Sequence, residues 1–311
     1  MTAHGVVMEG TGGVWRVHMS SGETLDAILR GRLKQGEGTK LAVGDHVTIE
    51  RDERDSGAWA IAEIHERKSK LERRAPGQRA EGRVVIANVD QVVVVFAFVK
   101  PEPHARMIDR FLVIAEANGI SARLVMNKCE LTDDASARAF AAPYERAGYA
   151  VHYTSVKAAI GLDALRDALS ARVTSLAGPS GVGKSSLLNA MYPGSELRVG
   201  DISESVNKGR HTTVGARLMP LPVEGGGYVA DTPGLREVGL WGIAATDVAA
   251  CFREFRPFLD ECRFQDCAHD REPACAVLAA VERGDIPPER HASYLKLRAE
   301  LSTGTETWRV R

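Results

Sequence analysis

The chain has 311 residues, 44% hydrophobic and 26% charged, which suits more than one packed domain and excludes a chain disordered throughout. Forty basic residues against 41 acidic give a net charge of −1, so any nucleic-acid surface has to be a local patch. The longest apolar run, Val92 to Val99, is far short of the roughly 18 residues that cross a bilayer; no secretory signal pattern opens the chain, and an odd cysteine count points to a reducing cytoplasm.

Short β-rich runs come first: Gly5 to Met8, Val14 to His18, Thr24 to Leu29, Val47 to Ile49 and Trp59 to Ile64. Turn-prone stretches separate them, Gly10 to Gly13, Ser20 to Gly22, Gly36 to Gly38 and Asp52 to Gly57. Five strands on such short loops predict a small barrel of the OB type over residues 1–70, with an SH3-like barrel as the alternative. A basic stretch follows, carrying Arg67, Lys68, Lys70, Arg73, Arg74, Arg79 and Arg83, with Pro76 and Gly77 at its centre. It reads as a linker over 71–83, either a solvated hinge or a contact for a phosphate backbone.

From about Val84 the pattern becomes strand–helix alternation. Val92 to Phe98 predicts a strand buried on both faces, and Met107, Ile108, Phe111, Leu112 and Ala115 recur at helical spacing. Further strands are expected at Leu124 to Met126, Tyr149 to Tyr153, Val173 to Ala177 and Tyr228 to Ala230. Helices are expected at Asp133 to Ala147, Leu162 to Leu169 and Ser186 to Met191. The prediction is an α/β domain with a largely parallel sheet over 84–240. After Trp241 the sequence turns helical and cysteine-rich, a third unit over 241–311.

Gly178-Pro-Ser-Gly-Val-Gly-Lys-Ser185 fits the phosphate-loop pattern between a strand and a helix. Glycines allow backbone N–H groups to turn inward toward phosphate oxygens, and the helix N-terminus adds positive potential there. Gly178, Ser180, Gly181, Val182, Gly183, Lys184, Ser185 and Ser186 are therefore candidate nucleotide contacts, with Lys184 reaching the β- and γ-phosphates and Ser185 ligating Mg²⁺. Asn127-Lys128-Cys129-Glu130 resembles the N-K-x-D guanine motif, with Glu130 one methylene longer than the usual Asp. Thr154-Ser155-Val156-Lys157 resembles the S-A-K loop behind the base, making Ser155 and Lys157 candidates too. Asp231-Thr-Pro-Gly234 looks like D-x-x-G, with Asp231 toward Mg²⁺ and Gly234 toward the γ-phosphate. Lys208 to Thr213 resembles a switch I segment, in which Thr212 or Thr213 ligates Mg²⁺.

The base motifs at 127 and 154 precede the phosphate loop at 178 and D-x-x-G at 231, so the order is rotated relative to an ordinary GTPase. One circular cut and rejoin preserves such a site, which makes this a circularly permuted P-loop GTPase. Leu235 stands where many GTPases carry a water-orienting Gln. His211 is the first candidate for that task, with a partner-contacting histidine as the alternative. Cys262-x4-Cys267-x-His269-x5-Cys275 supplies three thiolates and an imidazole, a Cys₃His set for one structural Zn²⁺. Cys129 and Cys251 lie outside that spacing and read as plain thiols.

The whole arrangement resembles the RsgA (YjeQ) family of bacterial ribosome small-subunit-dependent GTPases: OB barrel, permuted GTPase centre and Cys-x4-Cys-x-His-x5-Cys domain. The resemblance implies binding to the 30S particle and its 16S rRNA late in assembly, GTP hydrolysis to GDP stimulated by that particle, and release afterwards. A cytoplasmic monomer is expected. Two rival readings stand beside it: a metabolic P-loop ATPase or kinase, and an RNA-binding assembly factor that uses nucleotide only as a ligand switch.

Overall fold

The computed structural model describes residues 2–34, 40–51, 58–74, 82–194, 216–223, 225–231, 240 and 242–303. In chain order its elements are β1 (Thr2–Thr11), β2 (Val14–Met19), β3 (Thr24–Leu29), α1 (Gly31–Lys34), β4 (His46–Arg51), β5 (Trp59–Ile64), β6 (Lys70–Arg74), β7 (Gly82–Ala87) and β8 (Gln91–Ala97). Then come α2 (Ala105–Ala117), β9 (Ser121–Asn127), α3 (Asp134–Arg146), β10 (Ala150–Thr154), α4 (Leu162–Leu169), β11 (Val173–Ala177) and α5 (Lys184–Met191). Last are β12 (Arg217–Pro220), β13 (Tyr228–Asp231), α6 (Ala276–Arg283) and α7 (Pro288–Thr303), with 3-10 turns at Ala249–Cys251 and Arg253–Glu261. The backbone contacts divide the chain into two units: Met1–Gln91, Arg166–Leu176 and Ser185–Val238 in one, and Val92–Leu165, Ala177–Lys184 and Gly239–Arg311 in the other.

In the first unit, β1-β2-β3-β5-β4 close into a barrel. Strand β1 pairs antiparallel with both β2 and β4, while β3 and β5 are parallel, the connectivity of an OB barrel. Alternation along these strands turns Val7, Val17, Ala27, Val47, Ile49 and Ile61 inward, all at most 1% exposed. The stretch read as a linker carries β6 and β7, paired antiparallel from Lys70↔Ala87 to Arg74↔Gly82. Pro76 and Gly77 lie outside the described residues, and the basic side chains hid the strand alternation on either side. The β6–β7 pair is anchored to the barrel loop: Asn88 Nδ2 donates to Gly44 O at 2.9 Å, and the buried Asp45 carboxylate holds Arg67 at 2.6 and 2.7 Å. This unit also contains β11, β13 and β12. Strands β11 and β13 are parallel, and β12 adds antiparallel to β13. The sequence reading missed β12, a short strand of mixed polarity. The His18 ring and the Tyr228 hydroxyl meet at 2.8 Å, tying barrel strand β2 to the start of β13.

In the second unit β8 is buried along its whole length, as its unbroken apolar run predicts. Strands β9 and β10 run parallel from Ala150↔Arg123 to Thr154↔Asn127. Helix α2 buries Ile108, Phe111, Leu112 and Ile114. Helix α3 starts where Asp133 accepts the Ser136 N–H at 2.9 Å. The C-terminal helices are fastened to α2 by ions. Arg290, on α7, is 2% exposed, bonded to Asp109 of α2 and to Glu254 at 2.6 Å. Glu300 accepts from Arg110 at 2.5 Å and Arg106 at 2.9 Å, and Glu116 from Arg253 and Arg256 at 2.7 and 2.6 Å.

Candidate functional site

Strand β11 delivers the chain into the glycine loop. Gly178 has φ +138°, and a Cβ there would lie 2.0 Å from Val95 O, so only glycine lets the loop pass this close to β8. Gly183, at φ +97°, would press a Cβ to 2.4 Å from Asn127 Nδ2. Between them Ser180 and Gly181 are exposed and Val182 is fully buried. The loop runs into α5 at Lys184, so its N–H groups and those of the first helical turn form an anion-attracting end. The Lys184 ammonium folds over this loop, donating to Gly178 O at 2.9 Å and Pro179 O at 2.8 Å. Ser185 is half-buried and Ser186 exposed.

Asn127 closes β9 and is 2% exposed. Its Nδ2 donates to Val182 O at 2.8 Å, while Thr154 Oγ1 donates to its Oδ1 at 3.1 Å. Lys128, with φ +59°, reaches back and donates to Gly181 O at 2.8 Å and to Lys100 O. Glu130 stands exposed on the 3-10 turn Cys129–Leu131. Burial, then the charge of Glu130, pushes the Cys129 thiol up, which keeps it protonated. Ser155 is buried and accepts the Ala158 N–H at 2.9 Å, with Ser155 and Ile160 exchanging backbone bonds at 3.0 Å. Lys157 is exposed.

The fold therefore brings Asn127 and Lys128 against Gly181, Val182 and Gly183, more than fifty positions later in the chain. Asp231 ends β13, whose Ala230 pairs with Ser175 of β11. The Asp231 side chain, Gly234, Leu235, Thr212, Thr213 and His211 lie outside the described residues. Two contacts escaped the sequence reading. Lys100 acts through its main-chain carbonyl, which no residue-type pattern reports. Thr154 was read only as the lead-in to the S-A-K-like loop; its place opposite Asn127 is a matter of register.

The other cluster is Cys262, Cys267, His269 and Cys275, whose donor atoms all lie within 4.8 Å of one another. Cys262 Sγ is 3.6 Å from His269 Nδ1 and 3.9 Å from Cys275 Sγ, and Cys275 Sγ is 3.5 Å from His269 Nδ1. Desolvation pushes the Cys267 thiol up to about 12 and raises Cys275. Thiolates in this setting call for a cation to neutralise them. Cys275 also caps α6, accepting the Leu278 N–H at 3.5 Å, where the helix dipole favours a thiolate.

His269 has φ +53°, an αL backbone that a non-glycine residue adopts at a cost. The loop is pinned around it. The Glu272 carboxylate accepts the N–H groups of Ala268, Asp270 and Arg271 at 2.9, 2.9 and 3.0 Å. From α7, His291 Nε2 contacts His269 O at 2.7 Å and Tyr294 donates to Ala268 O at 2.8 Å.

The RsgA GTPase family model matches residues 64–241, more than half of the chain. The protein named Small ribosomal subunit biogenesis GTPase RsgA from Gemmatimonas aurantiaca is 60% identical over 299 residues, covering 96% of this chain and 97% of that protein. Its namesake from Azotobacter vinelandii is 42% identical over 301 residues, 96% of this chain and 85% of its own. Among solved structures, YjeQ from Thermotoga maritima superposes with a TM-score of 0.80 at 34% identity, over 97% of this chain and 99% of its own. YloQ, described as a circularly permuted GTPase, gives 0.75 at 28% identity over 98% and 96%.

Proposed function

The chain belongs to the RsgA GTPase family, and from that premise we propose that it hydrolyses GTP to GDP and phosphate while serving the late assembly of the 30S ribosomal subunit. The observation that carries the GTPase reading is the Asn127–Val182 hydrogen bond, which joins a guanine-type motif to a phosphate loop. The ribosomal part rests on the relatives, which are named for small-subunit biogenesis. A metabolic kinase reading has no such support.

In this reading Asn127, Lys128 and Glu130 hold the base, backed by Ser155 and Lys157. The loop from Gly178 to Ser186 wraps the phosphates. Lys184 exchanges its two loop carbonyls for phosphate oxygens, a charge-assisted contact. Ser185, Thr213 and Asp231 are the residues that would hold Mg²⁺, which neutralises charge on the β- and γ-phosphates. Gly234 meets the γ-phosphate, and His211 orients the attacking water in place of the absent Gln. The small subunit completes the site and so stimulates turnover, and the OB barrel and the C-terminal unit supply contacts to 16S rRNA.

The Cys₃His cluster fits Zn²⁺. A tetrahedral site with Zn–S about 2.3 Å and Zn–N about 2.05 Å has S···S edges of about 3.8 Å and S···N edges of about 3.6 Å. The distances of 3.9, 3.6 and 3.5 Å among Cys262, His269 and Cys275 match those edges, and the Cys267 thiol lies within 4.8 Å of all three. Four protein donors leave no position for a reacting water, so the role is structural. One experiment tests the whole: GTP turnover by the purified chain, alone and with 30S subunits. Stimulation of about tenfold or more is expected; equal rates with and without the particle reject the assignment.

A further inference from the structure

Among the described residues β12 is the last strand of its sheet, and β13 is the strand that holds it by a hydrogen-bonded ladder. Further support comes from the barrel. Glu9 Oε2 of β1 pairs with Arg217 Nε at 3.1 Å, while Glu9 Oε1 holds Arg16 of β2 at 2.6 Å and Arg16 reaches Asp26 of β3 at 3.4 Å. Strict alternation would turn Glu9 inward beside Val7. The register breaks between them, Val7 standing opposite Val17 and Glu9 opposite Arg16, and this bulge turns the carboxylate out toward β12. At the other end of the β12–β13 pair Pro220 stands opposite Tyr228. There His18 Nδ1 meets the Tyr228 hydroxyl at 2.8 Å, the two rings edge to face with centres 5.7 Å apart.

Arg217 is directly opposite Asp231 in the ladder. It follows the Lys208 to Thr213 segment by four positions, and Asp231 opens D-x-x-G. Both segments read as sensing the γ-phosphate therefore join the sheet at one rung, and Glu9 holds that rung. We propose that Glu9 and Arg217, with His18 and Tyr228 at the far end, are positioning residues through which the barrel acts on hydrolysis. A macromolecule that engages the barrel shifts β1 and β2, and the β12–β13 pair moves with them, carrying Asp231. This rests on the reading above in which the small subunit stimulates turnover. The ion pair is open to solvent, Arg217 56% and Glu9 28% exposed, so it adds little to stability, and coupling between barrel and site is what its removal changes.

The test measures GTP turnover of the full chain alone and with saturating 30S subunits. Wild type is compared with Arg217→Ala, Glu9→Lys, the Arg217→Ala/Tyr228→Phe pair and the exchanged pair Glu9→Lys/Arg217→Glu. Cosedimentation follows subunit binding, and thermal unfolding checks the fold. Arg217→Ala should cut the stimulation factor about threefold and the Arg217→Ala/Tyr228→Phe pair about tenfold, with unstimulated turnover and the amount bound within about twofold of wild type. Glu9→Lys should match Arg217→Ala, and the exchanged pair should recover most of the stimulation, because the contact survives with its charges reversed. Full stimulation of the Arg217→Ala/Tyr228→Phe pair overturns the proposal. So does an equal loss with and without subunits, which makes the brace part of the resting site, and so does lost subunit binding, which makes these side chains docking contacts. If that pair does not fold, Arg217→Gln/Tyr228→Phe is read in the same way, and failure of both to fold makes the brace a fold determinant and sinks the inference. A wild-type chain that subunits do not stimulate instead refutes the small-subunit reading itself.

Discussion

A Cβ on Gly183 would lie 2.4 Å from Asn127 Nδ2: the last glycine of the loop is the floor on which the Asn127 amide rests. Neither residue can shift alone. The glycine sits at φ +97°, closed to other side chains without strain, and the amide is fixed by Val182 and Thr154. Gly183→Ala is therefore expected to displace Asn127 and weaken GDP binding by roughly 30-fold or more, about 2 kcal/mol, as read by calorimetric titration. Binding within about threefold of wild type would show that the loop and the base motif are not in contact.

Glu130 carries the second expectation. It is exposed on a 3-10 turn, so the extra methylene relative to Asp meets no wall and costs little stability. Reach and aim toward the base are what change. Shortening it by Glu130→Asp should sharpen discrimination against a purine that lacks the exocyclic amine, raising the GDP-over-IDP affinity ratio by about fivefold to tenfold. Competition titrations with the two diphosphates measure it, and an unchanged ratio removes Glu130 from base recognition.

The loop around His269 responds to acid through Glu272. Burial opposes its charge, but the N–H groups of Asp270, Glu272, Ala268 and Arg271 outweigh burial and hold the carboxyl down at about 2. Its folded value lies below the ordinary glutamate value of about 4.3. Its contribution is therefore complete above that pH and fades as pH falls toward about 2. Glu272→Gln has one acceptor oxygen for these N–H donors, so it should lower Tm at pH 7 by roughly 2–4 °C, on the order of 1 kcal/mol. The gap to wild type should narrow between about pH 4 and pH 2 in scanning calorimetry with zinc present. A gap independent of pH would mean that the charge does not matter.

Much of this was legible in the residues because chemistry with strict type and spacing leaves a local mark. The phosphate loop, Asn127-Lys128 and the cysteine spacing belong to that class, and so does the apolar run that became β8. What the sequence hid is relational. The β6–β7 pair was hidden because Lys70, Arg73 and Arg74 put basic residue types where alternation normally signals a strand, while burial of Leu71 and Ile86, at 1% and 0% exposed, decides the pairing. Lys100 contributes a carbonyl that every residue type possesses. Thr154 needed the parallel register of β9 and β10. Arg290 reads as one more surface charge on a helix until Asp109 and Glu254 are seen around it.

That cluster supports the last expectation. Arg290 is 2% exposed, bonded to Asp109 and to Glu254 at 2.6 and 3.2 Å, with its guanidinium 4.6 Å from the centre of the Phe252 ring. Desolvation raises Asp109 and counts against charge on Arg290, yet the two carboxylates more than restore the arginine. Removing the cation leaves two carboxylates facing each other out of water, whereas removing all three charges leaves only a packing defect. Arg290→Ala should thus cost about 3–5 kcal/mol. The triple variant Asp109→Asn/Glu254→Gln/Arg290→Met should recover a good part of that loss. Urea unfolding of wild type, Arg290→Ala and the triple variant separates the cases. If Arg290→Ala is no less stable than the triple variant, the ionic clamp between α2 and α7 contributes packing alone.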